Sequence, residues 1–398
     1  MSFAPFHLID IEDYKSIGRA RVDLEPLTVL VGRNGSGKSN FLDALRFVSD
    51  SLSTSLDQAV KTRGAIPGLS RRGVAPPCFS VGFHIHLPNG ETAIYVLVVN
   101  FRQGGEFLTA VESLEVQAPS GEILGNYVVG GGEVVSSSIP KPPPAHRDRL
   151  YLVNASGFPE FRPTYDAITA MKFYALKAEA MKTPRRPDVG EWLESDGGNI
   201  ASVVARLNRE QPATLRRITQ YLGVIVPEII SLEPFSLGPV ETLKFVQRSQ
   251  GSDEPQEFFA WSMSDGTLLV LGALVAAAQT SGREEQVSLI CIEEPENSLH
   301  PAAAGALMDG LREAAEHTQI IITSHSPDLV DQVHLDTEAL LAVAYQGGST
   351  RIAPIDKASL SVIREHLYSP GELLRMDQLE PDRDDIAEQN SSTLEEEA

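Results

Sequence analysis

Eight consecutive residues, Gly32, Arg33, Asn34, Gly35, Ser36, Gly37, Lys38 and Ser39, follow the pattern G-x-x-x-x-G-K-[ST]. That spacing builds a cradle for phosphate. Glycines let the backbone wrap an anion with its N–H groups turned inward, and a helix that starts at once adds the positive end of its dipole. Lys38 can then reach the β- and γ-phosphates of a nucleotide, Ser39 can offer its hydroxyl to Mg²⁺, and Asn40 is grouped with the nucleotide contacts.

Three more clusters suit the same chemistry. Glu293 and Glu294 close the apolar run 287–292. Beside a phosphate loop, the first carboxylate can hold Mg²⁺ and the second can deprotonate the water that attacks the γ-phosphate. Alone, such a pair would read as a solvated strand end. His325 closes another apolar run, 319–323, and an imidazole there can hydrogen-bond a γ-phosphate. Ser264, Asp265 and Gly266 stand directly before the apolar stretch 268–278, so a hydroxyl, a glycine and a helix N-terminus combine, although the same triplet is an ordinary helix cap. The catalytic set is therefore Glu294, His325 and Lys38. The nucleotide set is 32–40 with Ser264, Asp265 and Gly266, the metal ligands are Ser39 and Glu293, and the cofactors are ATP and Mg²⁺.

The elements that must hold these residues can be read around them. Leu27, Thr28, Val29, Leu30 and Val31 form a short β-rich run before the loop, and Phe41, Leu42, Leu45, Val48 and Leu52 recur at helical spacing after it. Strand, loop and helix follow in the order the cradle needs. Segments 7–11 and 19–24 are expected as opening strands, and 79–87, 92–101 and 107–116 alternate as an antiparallel meander. Residues 118–149, with three glycines at 130–132 and three prolines at 142–144, are expected to be a flexible loop. Residues 162–222 turn helical without a sustained heptad, which excludes a long coiled-coil arm. Strand-like runs return over 236–247. The segment 377–398 holds nine acidic residues against one arginine and is expected to be a disordered tail.

Composition narrows the class. A chain of 398 residues can bury a large core, and its formal charge of -21 argues against coating nucleic acid by bulk electrostatics. Cys78 and Cys291 are the two cysteines, too few for a disulfide framework, and Cys291 lies in an apolar run as a small core side chain. Residues 1–13 lack the basic and apolar regions of a leader, and 268–278 is too short to span a bilayer. A soluble protein of the reducing cytoplasm is expected.

The order of these motifs resembles that of ABC-type ATPases. Residues 264–268 (Ser-Asp-Gly-Thr-Leu), 292–301 and 323–327 look like the signature, Walker B with D-loop, and switch-histidine motifs of RecF/SMC-like ATPases, and most closely those of the AAA-type, RecF-like or OLD-like group. The resemblance is strong over 9–52 and 258–333 and moderate over 152–222. It implies an α/β fold, an ABC-type P-loop NTPase head with a mostly parallel core sheet, an antiparallel β subdomain and an inserted helical lobe. The implied division is a single composite head over 1–376, with its nucleotide core at 1–60 and 255–345, the β subdomain at 75–118 and the lobe at 150–250. It also implies a homodimer that sandwiches two ATP molecules, with Ser264 and Gly266 acting on the other chain's phosphate loop. Asp265 replaces the first glycine of the broader signature and Glu293 its usual aspartate, as is typical of this subgroup. No segment is assigned to the glutamine loop.

The resemblance implies ATP hydrolysis coupled to DNA or to a partner effector, in DNA repair, chromosome handling or antiphage defence. The alternative is an ATP-locked scaffold with negligible turnover; a small-molecule kinase fits the signature and His325 motifs less well. OLD nucleases carry a Toprim domain after the ATPase, and the sequence beyond 333 is too short for one, so an effector such as a nuclease is expected in trans. For nucleic acid, the local feature is 171–187, where Lys172, Lys177, Lys182, Arg185 and Arg186 face Glu179 alone, with Phe173 and Tyr174 among them. The competing reading is a solvated helix face. His84, His86 and Cys78 lack the further ligands of a metal site and read as ordinary strand residues.

Overall fold

A computed structural model describes residues 5–101, 107–248, 254–279, 287–297, 299 and 301–391. The apolar runs on either side of the motifs become strands: β1 (Phe6–Glu12), β2 (Arg19–Asp23), β3 (Leu27–Val31), β4 (Cys78–His86), β5 (Thr92–Phe101), β6 (Phe107–Gln117), β7 (Ile123–Gly130) and β8 (Glu133–Ser137). In the second half follow β9 (Lys172–Tyr174), β10 (Ile229–Leu237), β11 (Val240–Gln247), β12 (Gln256–Phe259), β13 (Leu289–Glu293), β14 (Gln319–Ser324), β15 (Ala339–Gln346) and β16 (Ser349–Pro354).

The core sheet runs β16-β15-β3-β14-β13-β9, with every neighbouring pair parallel except β15 and β16. Its strands are buried on both faces. Leu30, Cys291 and Ile321 point into one apolar cluster, while their neighbours Val29, Ile292 and Ile322 point into another. Burial on both faces makes such strands read as unbroken apolar runs, which is how they could be found. Helix Lys38–Ser53 and the antiparallel sheet β2-β1-β4-β5-β6-β7-β8 close the first cluster. Helices Asp265–Ala278 and Ala304–Ala315 close the second. This is the mixed α/β head expected of an ABC-type P-loop ATPase. The inserted segment supplies helices Ile200–Glu210 and Pro212–Ile225, followed by the small antiparallel sheet β10-β11-β12.

Parallel strands share a direction, so the ends of β3, β14 and β13 meet at one edge of the sheet. Ligands of open α/β sheets gather at that edge. The register sets Val31 against Ser324 and Thr323 against Glu293, which lines up the phosphate loop, the switch residues and the paired carboxylates.

Three expectations are corrected. Within 118–149, β7 and β8 extend the meander, and the glycines at 131 and 132 make the turn of a hairpin with positive φ values of 60° and 87°. The alternation was hard to see because Gly125 takes an inward position, where a Cβ would come 3.1 Å from the Phe161 ring. The meander also recruits β1 and β2, so the antiparallel unit reaches beyond 75–118. Lys172, Phe173 and Tyr174, expected within a helical region, form β9 on the edge of the core sheet, too short a run to show a period. Finally, 377–398 is not a uniformly disordered tail: Arg383–Ser391 is a helix capped by Asp382, and the Gln389 amide, buried beneath it, donates to the Ile352 carbonyl at 3.1 Å. Its acidic residues lie on the helix surface, with Asp384 paired to Lys357 at 2.7 Å. Residues 392–398 lie outside the described residues.

Candidate nucleotide site

Lys38 opens the helix Lys38–Ser53, whose N-cap Gly37 takes a left-handed conformation with φ 112°. The lysine side chain folds back over the loop, and its Nζ donates to the carbonyls of Gly32 at 2.7 Å and Arg33 at 3.1 Å. It is 5% exposed. Burial holds its ammonium below the usual lysine range, against the opposing pull of Glu294, Glu296 and Glu293. The cation thus already sits in an anionic field, at the place where phosphate oxygens would complete its coordination.

Ser39 and Glu293 come from opposite halves of the chain and meet, the serine hydroxyl donating to Glu293 Oε2 at 2.6 Å. A hydroxyl and a carboxylate are the hard oxygen donors that Mg²⁺ takes from a protein when phosphates and water supply the rest. The pair fits that ion. Among the described residues no group of three or more His, Cys, Asp or Glu could hold a metal on its own.

Glu294 leaves β13 with φ 43°, an uncommon conformation for a side-chain-bearing residue, held by its N–H on the Thr323 carbonyl at 3.0 Å. This turn sets its carboxylate beside the next strand end. His325 Nδ1 lies 3.3 Å from Glu294 Oε1, and Asn297 donates to Glu294 Oε2 at 3.2 Å. The proposed base and the switch imidazole are therefore in contact.

Glu296 is a residue to which the sequence reading gave no role. It is buried, and its Oε1 accepts from the Ser324 hydroxyl at 2.6 Å and the His325 N–H at 3.2 Å. Burial pushes its carboxyl up, opposed by those same hydrogen bonds. Its other oxygen has no hydrogen-bond partner among the described residues. The signal was present in the sequence, a third carboxylate two places past the candidate base.

The other candidate residues fall in different places. Arg33 is 74% exposed and pairs with Asp377 at 2.9 Å. Asn40 donates its side-chain amide to Ser16 Oγ at 2.7 Å. Gly35 and Gly37 have positive φ, and Ser36 is buried under the loop. Ser264 caps helix Asp265–Ala278 through the Thr267 N–H at 3.2 Å, and Asp265 pairs with Lys182. Ser264 and Asp265 are exposed, with the Ser264 hydroxyl on Thr267 and the Asp265 carboxylate on Lys182. Ser298 and His300 of the D-loop resemblance lie outside the described residues.

The positive segment 171–187 is matched by local partners. Lys172 lies 5.0 Å over the Trp192 ring, Lys182 pairs with Asp265, and Arg185 pairs with Glu194 at 2.6 Å. Tyr174 is buried and donates its neighbourhood to the core, its hydroxyl accepting from the Gln279 amide at 2.6 Å. Two of the five cations, Lys182 and Arg185, are thus paired with carboxylates, and Lys172 lies over an aromatic ring.

A family model described as "AAA domain, putative AbiEii toxin, Type IV TA system" matches residues 27–112 and 207–331, more than half of the chain. The chain belongs to this AAA family. The match spans the strand, loop and helix of the phosphate site, the signature helix, the paired carboxylates and His325. The AAA-family chain is also 20% identical to Endonuclease GajA of Bacillus cereus (strain VD045) over 385 residues, which are 92% of this chain and 60% of that protein. Among solved structures, a crystal structure of an Smc head bound to the C-winged helix domain of ScpA matches with a TM-score of 0.55 at 14% identity, covering 90% of this chain and 99% of that one. An Smc head domain with an extended coiled coil, bound to the C-terminal domain of ScpA and derived from Pyrococcus furiosus, matches with a TM-score of 0.54 at 12% identity, covering 91% and 99%. The fold of this AAA-family chain is that of the Smc head structures it matches. No helix of the described residues is long and apolar enough to cross a membrane.

Proposed function

We infer that the chain binds and hydrolyses ATP and that two copies close around two nucleotides. The observation that carries this reading is the meeting of Ser39 with Glu293 and of Glu294 with His325, drawn from the start of helix Lys38–Ser53 and the ends of β13 and β14, at the mouth of the loop that encloses Lys38. The loop and Lys38 bind and orient the phosphates, and Ser39 and Glu293 would hold Mg²⁺, which neutralises phosphate charge when bound. Glu294 accepts the proton of the attacking water, and His325, in contact with it, donates a hydrogen bond to the γ-phosphate. Ser264 is exposed at the start of helix Asp265–Ala278, which supports its use on the loop of a second copy. The nucleotide-dependent dimer then acts on a partner effector or on DNA. With Lys182 and Arg185 paired to carboxylates, segment 171–187 offers DNA less charge than its sequence suggests.

The test is Glu294→Gln in the full chain. Loss of the general base should lower ATP turnover by about 100-fold or more while nucleotide still binds, and the variant should run as a dimer with ATP on a sizing column. A wild-type chain that binds ATP and dimerises without releasing phosphate would replace hydrolysis by an ATP-locked scaffold. A chain that stays monomeric with ATP would overturn the sandwich.

A further inference from the structure

We propose that Thr350, on the C-terminal hairpin, is a positioning residue for the nucleotide site, fixing the orientation of the Ser36–Gly37 peptide so that the Gly37 N–H faces the phosphates. The proposal rests on the ATP-site reading and adds a residue to it that lies outside both segments matched by the family model.

Thr350 is fully buried beneath the phosphate loop, on β16. Its hydroxyl donates to the Ser36 carbonyl at 2.7 Å. Because that proton is engaged, the second contact of Thr350 Oγ1, 2.7 Å from Ser16 Oγ, must run the other way, with Ser16 donating. Ser16 Oγ in turn accepts from the Asn40 amide at 2.7 Å. The result is a one-directional chain from Asn40 through Ser16 and Thr350 to the Ser36 carbonyl. The backbone secures the donor in place, since the Thr350 N–H bonds to the Ser16 carbonyl at 2.7 Å.

The consequence follows from peptide geometry. The Ser36 C=O and the Gly37 N–H belong to one planar trans peptide and point in opposite directions. Pinning the carbonyl down onto Thr350 therefore aims the N–H up into the loop, where a phosphate cradle needs its donors. Gly37 is also the residue against which Thr350 packs: a Cβ at position 37 would come 2.2 Å from Thr350 Oγ1. Contact and hydrogen bond together leave the peptide one orientation. A flipped peptide would bury a carbonyl facing phosphate oxygens and leave the Thr350 hydroxyl without its acceptor.

Thr350→Val keeps the branched shape and removes the donor, whereas Thr350→Ser keeps the donor. Binding of Mg²⁺–ATP to the full-length variants is measured by titration calorimetry, with thermal melting as a check on folding. Thr350→Val should weaken ATP binding at least fivefold while remaining folded, and Thr350→Ser should stay within twofold of wild type. Ser16→Ala, which removes the donor behind Thr350 together with the acceptor of the Asn40 amide, should weaken binding two- to threefold and serves if the valine variant does not fold. A folded Thr350→Val chain that binds ATP like wild type overturns the proposal, as does a Ser16→Ala chain without effect where the valine variant fails to fold. Lys38→Ala separates the two levels: if it leaves ATP binding intact, the nucleotide-site reading itself fails.

Discussion

Glu112, in the middle of the antiparallel sheet, and Glu296, beside the phosphate loop, are both buried carboxylates whose acidity burial weakens. Around Glu112 the donors converge: Tyr95 and Tyr127 hydroxyls at 3.2 and 3.0 Å, the Leu152 N–H at 2.9 Å, and the Tyr151 N–H on its other oxygen. Both oxygens are engaged. Glu296 has one oxygen engaged by Ser324 and His325 and the other without a hydrogen-bond partner among the described residues. The difference teaches how to tell a clamp from a working group. A buried charge answered on all sides stabilises a fold, tying β6 to the helix Leu152–Ala155; one answered on a single side holds a neighbouring loop in place and keeps capacity toward the site.

The comparison can be broken by substitution. Glu112→Leu leaves two tyrosine hydroxyls and two N–H groups without their acceptor, and should cost about 4 kcal/mol of stability by urea unfolding, with ATP turnover per folded molecule unchanged. Glu296→Gln should do the reverse: its amide oxygen can still accept from Ser324 and His325, but the second oxygen becomes an NH2 donor and the charge is lost, so turnover falls about 10-fold while stability moves by less than about 1 kcal/mol. If the two variants behave alike, the distinction fails. Since burial raises the Glu296 carboxyl, the folded chain retains a proton that the unfolded chain releases. Its stability contribution is then present at low pH and fades as pH climbs above the usual carboxylate range, and the glutamine variant should flatten that part of the curve.

A second pH effect belongs to the antiparallel sheet. His7 stacks on His86 with ring centroids 4.2 Å apart, and burial, aided by His86 and His84, lowers its pKa to about 4. Its lowered value means that the unfolded chain takes up a proton first. Stability from this group is present above about pH 6.5 and is lost as pH falls toward 4. His7→Gln should flatten melting temperature between those limits and leave nucleotide binding unchanged. The smallest expected effect is that of Asp377→Asn. The exposed ion pair with Arg33 should contribute less than about 1 kcal/mol, visible as a slight, salt-dependent change in stability.

Much of the site was legible because its chemistry is carried by short motifs at the ends of strands buried on both faces. Glu293, Glu294 and His325 could be named from position alone, and the structure brings them together with Ser39. What the sequence hid depends on distant partners. The charges of Lys172, Lys182 and Arg185 look free along the chain, but Trp192, Asp265 and Glu194 meet them in space. β7 was masked by Gly125, whose missing side chain makes room for Phe161 and breaks the alternation. The acidic C-terminal segment was read by composition, yet a buried Gln389 and a cap at Asp382 suffice to fold its first part. Neither Thr350 nor Ser16 sits in a motif, because a hydroxyl supporting a loop from below needs no neighbours of a particular kind.

The placement of Thr350 also sets a schedule for protein synthesis. The hydroxyl that meets Ser36 arrives 314 residues later in the chain. β3, which carries the loop, has both of its sheet neighbours, β14 and β15, from that late part as well. A nascent chain emerging from the ribosome therefore displays its glycine loop long before the loop has a floor or flanks. Contacts of such sequence separation form slowly, so the loop gains its floor and flanks only after residue 350 has been made.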